Sequence, residues 1–164
     1  MIYKRKGDIL YNLNWSKKEL TRQKLGIFGE YYAKMFLISY GIDLYSTVVD
    51  DHGVDFVAET KKGFFKIQVK TIRGGTNYIY MGEKYFNVSE KNLYLLIVHL
   101  KDNEEPVLYL IPSSVWTIEN QKVFVHYSYK GKKSKPEYGV NLSKKNLPVL
   151  EKYKIENTIQ EWLE

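Results

Sequence analysis

The stretch GVDFVAETKKGFFKIQVKT, residues 53–71, decides how this chain folds. Val54, Phe56 and Ala58 fall at every second position, separated by Asp55 and Val57, and so do Phe65, Ile67 and Val69, separated by Lys66 and Gln68. Between the two runs lies Thr60-Lys61-Lys62-Gly63, a polar segment ending in glycine. Period-two alternation broken by turn chemistry predicts a β-hairpin, with strands over 54–59 and 64–71. If the four turn residues form the loop, Glu59 stands opposite Phe64. Counting back then sets Asp55 opposite Gln68, with Cβ atoms about 5 Å apart. One face carries the apolar six; the other carries Asp55, Gln68 and Lys70. A slip of one residue would bury Asp55 and Lys70, so the alternation fixes the register.

Upstream, Ser16 and Glu19 have the spacing of a capping box and Gly41 is a stop signal, which predicts a helix between them. From Leu25 to Ile38 only Glu30 and Lys34 are charged, so this helix is expected to be apolar over most of its circumference and largely buried. Ile42 to Val49 reads as a further strand. Downstream, residues 72–86 combine Gly74-Gly75 with four aromatics, predicting a loop and then a short strand or hairpin. Leu93 to Leu100 (LYLLIVHL) is an unbroken apolar run, the pattern of a central strand covered on both faces. Val107 to Ile111 returns as another strand, Pro112-Ser113-Ser114 opens a short helix, and 122–127 adds an edge strand. A basic loop, Lys130 to Pro136, and a terminal helix, Ile155 to Leu163, complete the reading. The class is α/β: a single domain over 1–164, with a core over 16–112 and a C-terminal extension over 113–164.

The chain has 164 residues and no cysteine, and its three histidines, His52, His99 and His126, are far apart. Disulfides, thiolate zinc sites and cysteine nucleophiles are therefore excluded, and any metal is expected to be a hard cation on oxygen ligands. No apolar run approaches the ~20 residues of a membrane span, and MIYKRKGDIL lacks the apolar stretch of a signal peptide; the expected location is the cytoplasm, with no membrane partner. The net charge of +6 is uneven: residues 1–24 carry seven cations and two acids, residues 121–145 seven cations and one acid, and the remainder is −5. Basic flanks around an acidic middle suit a protein that holds a polyanion while keeping carboxylates for a cation. They equally suit lysine-rich ends that keep a protein soluble.

A carboxylate, an amide and an amine converging on one sheet face is the chemistry that metal-assisted phosphodiester hydrolysis requires. Acids hold an octahedral ion, and a cation orients the nucleophile or stabilises the developing charge. Gly29-Glu30 on the helix, Gly53-Val54-Asp55 opening a strand and Ile67-Gln68-Val69-Lys70-Thr71 on the next resemble the motifs of the PD-(D/E)xK, or restriction-endonuclease-like, nucleases. The resemblance implies an αβββαβ core with a mixed central sheet and a Mg²⁺ (or Mn²⁺) cofactor. It also implies a site in which Asp55 binds metal, Glu30, Gln68 and the Val69 carbonyl complete its shell, and Lys70 acts on the nucleophile or the transition state. Val54 stands where the motif has proline, and Gln68 where it has an acid. A QxK-variant branch of uncharacterised bacterial and phage proteins is similar in this respect.

Each of these residues also has an ordinary structural role. Glu30 and Lys34, spaced i, i+4, suit a helix salt bridge; Asp55 after Gly53 suits a turn; Lys70 and Gln68 suit a solvated strand face. Arg73 and the loop lysines Lys132, Lys133 and Lys135 are candidate phosphate contacts or solvated charges. Tyr78, Tyr80, Tyr85 and Phe86 suit base stacking or the core, and His52 suits proton transfer or a turn. The first reading is a metal-dependent endonuclease acting on DNA, as a homodimer or with a recognition partner, because one site cuts one strand. The alternative is a catalytically inactive module of the same fold that binds nucleic acid or a protein partner.

Overall fold

In this computed structural model, which describes Trp15 and residues 20–46, 53–102, 104–119 and 121–164, the first helix, α1, spans Arg22–Ser39. Its cap is Thr21, whose hydroxyl accepts the Lys24 N–H at 3.2 Å; Ser16 and Glu19, the expected capping box, lie outside the described residues. Gly41 ends the helix as the sequence suggests. It sits at φ +78, and the N–H groups of Gly41 and Ile42 return to the carbonyls of Ile38 and Leu37 at 2.8 and 3.3 Å, the paired bonds of a Schellman stop.

Burial of α1 all round is not what forms. Leu25, Gly29, Tyr32, Ala33 and Leu37 are buried, whereas Ile27, Tyr31, Met35 and Ile38 are exposed. A helix laid on one sheet face buries a single stripe, and the protein's other layer packs on the opposite face of that sheet. Gly29 sets how close α1 comes: a Cβ there would stand 1.9 Å from Thr71 Oγ1.

β1 (Asp43–Ser46), β2 (Phe56–Thr60) and β3 (Gly63–Arg73) run antiparallel in sequence order. The β2–β3 register is the one the alternation dictates, with Glu59 opposite Phe64 and Phe56 opposite Ile67. After β3, β4 (Tyr78–Gly82) leaves the sheet and one turn of 3-10 helix follows over Glu83–Tyr85. β5 (Leu93–Leu100) then returns parallel to β3, and β6 (Val107–Pro112) closes a mixed five-stranded sheet in the order β1-β2-β3-β5-β6. Parallel neighbours need a crossover. At the place where an αβββαβ order sets its second helix, this crossover consists of β4 and the 3-10 turn.

A 3-10 turn over Ser113–Thr117 follows the proline as expected, and β7 (Phe124–Tyr127) is an edge strand. β8 (Glu137–Asn141) has no counterpart in the sequence reading; it lies between β4 and β7 in a second, three-stranded sheet. The chain ends with α2 (Leu147–Leu150), α3 (Ile155–Thr158) and α4 (Gln160–Leu163). The last two replace the single expected helix. Ile159 keeps helical angles (φ −62, ψ −32), but the Trp162 N–H bonds three residues back, to Ile159, rather than four.

The five-stranded sheet separates two cores. On one side Phe56, Ile67, Leu96 and Val98 pack with α1 and with Ile155 and Trp162; on the other Leu95, Ile97 and Ile111 pack with Met81, Phe86 and Val140 of the second layer. β5 is buried on both faces, which explains why His99 is the one polar residue in its sequence. No helix among the described residues is long and apolar enough to cross a membrane.

Candidate functional site

β2 and β3 separate at Asp55. Continued, their register would set Asp55 against Gln68, but the Asp55 N–H bonds instead to the Ile67 carbonyl at 2.9 Å, one residue short. The Asp55 carboxylate turns to accept the Val69 N–H at 2.5 Å. A side chain thus satisfies the first β3 donor that β2 no longer reaches. From Gln68 onward β3 is paired only with β5 among the described residues. Gly53, at φ +70, makes this geometry fit. A Cβ there would stand 2.8 Å from the Tyr85 carbonyl oxygen and 2.9 Å from Gln68 Nε2, so only glycine passes between the strand and the 3-10 turn.

Along this end of β3 opens a cleft of about 1090 Å³, walled by the first turn of α1, by β3 from Gln68 to Arg73, and by β4 with its 3-10 turn. Four cationic side chains line it, Arg22, Lys70, Arg73 and Lys84, and no carboxylate stands among its described lining residues. Lys70 is partly buried and makes no ion pair among the described residues. Arg73 donates to the Trp15 carbonyl at 2.9 Å, and Lys84 Nζ lies 5.3 Å from the centroid of the Tyr85 ring. Gln68 is only 6% exposed, and no group donates to its Oε1. In β4, Tyr78 donates to Glu137 at 2.9 Å, and burial followed by that bond pushes its phenol well above the ordinary range.

The sequence-derived candidates are distributed as follows. Gln68, Lys70 and Arg73 line the cleft, and Asp55 is tied to β3 beside it. Glu30 does not line it: its carboxylate accepts from Lys34 Nζ at 2.6 Å, and that ammonium lies 5.4 Å from the centroid of the Phe56 ring. Tyr78, Tyr80 and Tyr85 line the cleft, whereas Phe86 is fully buried in the core. Lys132, Lys133 and Lys135 are exposed on the β7–β8 connection, away from the cleft lining. His52 lies outside the described residues. Arg22 and Lys84 were not foreseen. Each comes from an element whose approach to β3 depends on long-range packing, and neither position carries a local signal.

Among the described residues no three acidic or histidine side chains group to hold a metal. The donors suited to a hard divalent cation are the Asp55 carboxylate and the unsatisfied Gln68 Oε1, and an oxygen buried without a donor is a position that such a cation would satisfy.

No family model matches this chain, and no curated protein matches it in sequence. Among solved structures it is similar to that of a bacterial homing endonuclease, I-Ssp6803I, with a TM-score of 0.52 and 14% identity over 87% of this chain and 94% of that one. It also matches Hjc, a Holliday junction resolvase from Archaeoglobus fulgidus, with a TM-score of 0.46 and 10% identity over 76% of this chain and 88% of the other. The chain has the restriction-endonuclease-like fold. In this fold the mixed sheet brings Asp55, the residue before β2, against Val69 of β3, and directs Gln68 and Lys70 to one side of it. Gly29 serves the packing of α1 against β3 at Thr71.

Proposed function

We propose that this chain is a divalent-metal-dependent nuclease that hydrolyses phosphodiester bonds, with DNA as its substrate. The observation that carries the reading is the juxtaposition at the β2–β3 divergence. A carboxylate is held rigidly on Val69 N–H, and an ammonium without an ionic partner among the described residues follows one residue later, at the floor of a cleft lined by cations. Strand lysines on a solvated face do not require an aspartate fixed beside them.

In this reading the Asp55 carboxylate and Gln68 Oε1 would hold Mg²⁺ or Mn²⁺, with the Val69 carbonyl and Glu30 as the remaining candidates. When bound, such an ion would supply Lewis acidity at the phosphoryl oxygens and lower the pKa of a water it holds. Lys70 orients the attacking oxygen and stabilises the extra negative charge of the pentavalent transition state. Arg22, Arg73 and Lys84 fix the phosphates on either side and thereby the direction of attack. Glu30 joins only by leaving Lys34, and a partly exposed helix pair of this kind holds it by a few tenths of a kcal/mol. Gln68 brings no charge to the site, so the ion is bound more weakly than by a second carboxylate.

The test is cleavage of supercoiled and single-stranded DNA by wild-type and Lys70→Ala protein in Mg²⁺ and in Mn²⁺, with an EDTA control. Metal-dependent cleavage that falls at least 100-fold in the variant is expected, in line with the loss of a transition-state donor. Equal metal-dependent cleavage by both would remove Lys70 from catalysis, and no cleavage by wild-type would favour the inactive binding module. Gln68 is the residue that points to that second reading.

A further inference from the structure

We propose that the cleft takes an unpaired strand of nucleic acid, with bases stacked on Tyr80 and Tyr85 and phosphates on the surrounding cations. This deepens the reading above and rests on its premise that the cleft takes nucleic acid.

Strand β4 presents Tyr78, Tyr80 and Gly82 on one side and buries Ile79 and Met81 on the other. The two tyrosines of the open side have different fates. Across the sheet from Tyr80 stands Gly139 of β8, and the Tyr78 hydroxyl occupies the space where a Cβ at Gly139 would lie, 2.0 Å away. Tyr78 thus lies across the glycine, bonded to Glu137. Tyr80, with no side chain opposite it, remains 61% exposed. Tyr85, on the turn that follows, is 46% exposed, and Lys84 stands over its ring. Both rings line the same cleft as Lys70 and Arg22.

An exposed phenol ring between cations offers a π-face and nearby positive charge, the two components with which proteins bind single strands. A duplex cannot use this arrangement, since its base faces are stacked on one another and only their edges and the phosphates are presented. The cleft volume of about 1090 Å³ is just above the range of pockets that enclose a small ligand, roughly 300–1,000 Å³. That suits a short run of unpaired nucleotides. Gln68, whose amide oxygen is buried without a donor, lines the same cleft.

The test is fluorescence anisotropy in EDTA and low salt, with a labelled 12-mer of thymidine and a 12-base-pair duplex as probes. Binding is then read without any hydrolysis. The single strand is expected to bind more tightly than the duplex. Tyr80→Ala and Tyr85→Ala are each expected to weaken the single strand about 10-fold, the order found for one base–aromatic stack, with little effect on the duplex, whereas Tyr80→Phe keeps the affinity because the ring and not the hydroxyl does the binding. Both positions are exposed, and a thermal melt checks that the variants fold. A duplex preference that depends on Arg22 but is indifferent to the two tyrosines would overturn this inference while leaving nucleic-acid binding intact. Failure to bind either probe would remove the shared premise. Tight, tyrosine-dependent single-strand binding without cleavage in Mg²⁺ would sustain the inference and sink only the catalytic reading.

Discussion

Gly29 and Thr71 meet at a point that tolerates no extra atom, and this contact ties the first helix to the strand carrying Gln68 and Lys70. A Cβ at Gly29 would stand 1.9 Å from Thr71 Oγ1 and 2.7 Å from Thr71 Cβ. The Thr71 hydroxyl is buried there without a hydrogen-bond partner. Gly29→Ala should raise helix propensity yet destabilise the protein, because forcing a methyl into a packed contact costs about 1–3 kcal/mol. Urea unfolding measures this directly. Adding Thr71→Ala should recover part of the loss, since Oγ1 and Cγ2 leave but Cβ stays. An undiminished penalty in the double variant would mean that the backbone of α1, and not this contact, resists the change. From the sequence, Gly29 is visible only as the neighbour of Glu30, because a close approach between a helix and a strand 42 positions away leaves no local trace.

Elements whose pattern is local were legible, and elements defined by distant partners were not. The β2–β3 hairpin and its register follow from Phe56, Ala58, Phe65 and Ile67 alternating about a four-residue turn, and β5 follows from an apolar run interrupted only by His99. β8 (EYGVN) has a glycine in its centre and only two large apolar-faced residues, so it exists as a strand because β4 and β7 flank it. The same pairing carries Tyr80, Lys84 and Tyr85 to the cleft, which is why the two tyrosines could be named for stacking but not placed, and Lys84 could not be named at all. The turn after β3 shows the further step from element to stability. His99, in β5, is buried, with Nε2 3.1 Å from the Gly74 carbonyl and Nδ1 without a partner, the arrangement of a neutral ring donating through Nε2. Burial, the largest cause, lowers its pKa from the ordinary 6.5; Lys101 acts in the same direction, while the Gly74 bond and Glu104 oppose it. The unfolded chain therefore takes up this proton first. The stabilisation is full above pH 6.5 and is lost as pH falls through the lowered folded value. Urea midpoints at pH 7.5 and 5.5 should fall more for wild-type than for His99→Gln, and an equal fall in both would show that His99 does not carry the pH dependence.

The whole molecule carries +6, concentrated in residues 1–24 and 121–145 around a remainder at −5, and the fold treats the two basic segments differently. Arg22, from the first, is brought into the cleft beside Lys70, Arg73 and Lys84, whereas Lys132, Lys133 and Lys135 of the second project from the β7–β8 connection outside it. Charge in the cleft displaces counterions from bound phosphates, and charge on a solvated loop does not, so the salt dependence of binding separates the two. For a single strand, log K falls with log salt by about 0.7 for each phosphate neutralised. Measured in EDTA between 50 and 200 mM salt, Arg22→Ala and Lys84→Ala should each flatten that slope by roughly 0.7. Replacing Lys132, Lys133 and Lys135 together by alanine should leave it unchanged, because these side chains are exposed and stand apart from the cleft lining. A triple variant that flattens the slope by about 2 would instead place the loop on the phosphates. The nucleic acid would then have to run from the end of β3 past Gly82 and along the three-stranded sheet, a path longer than the cleft alone.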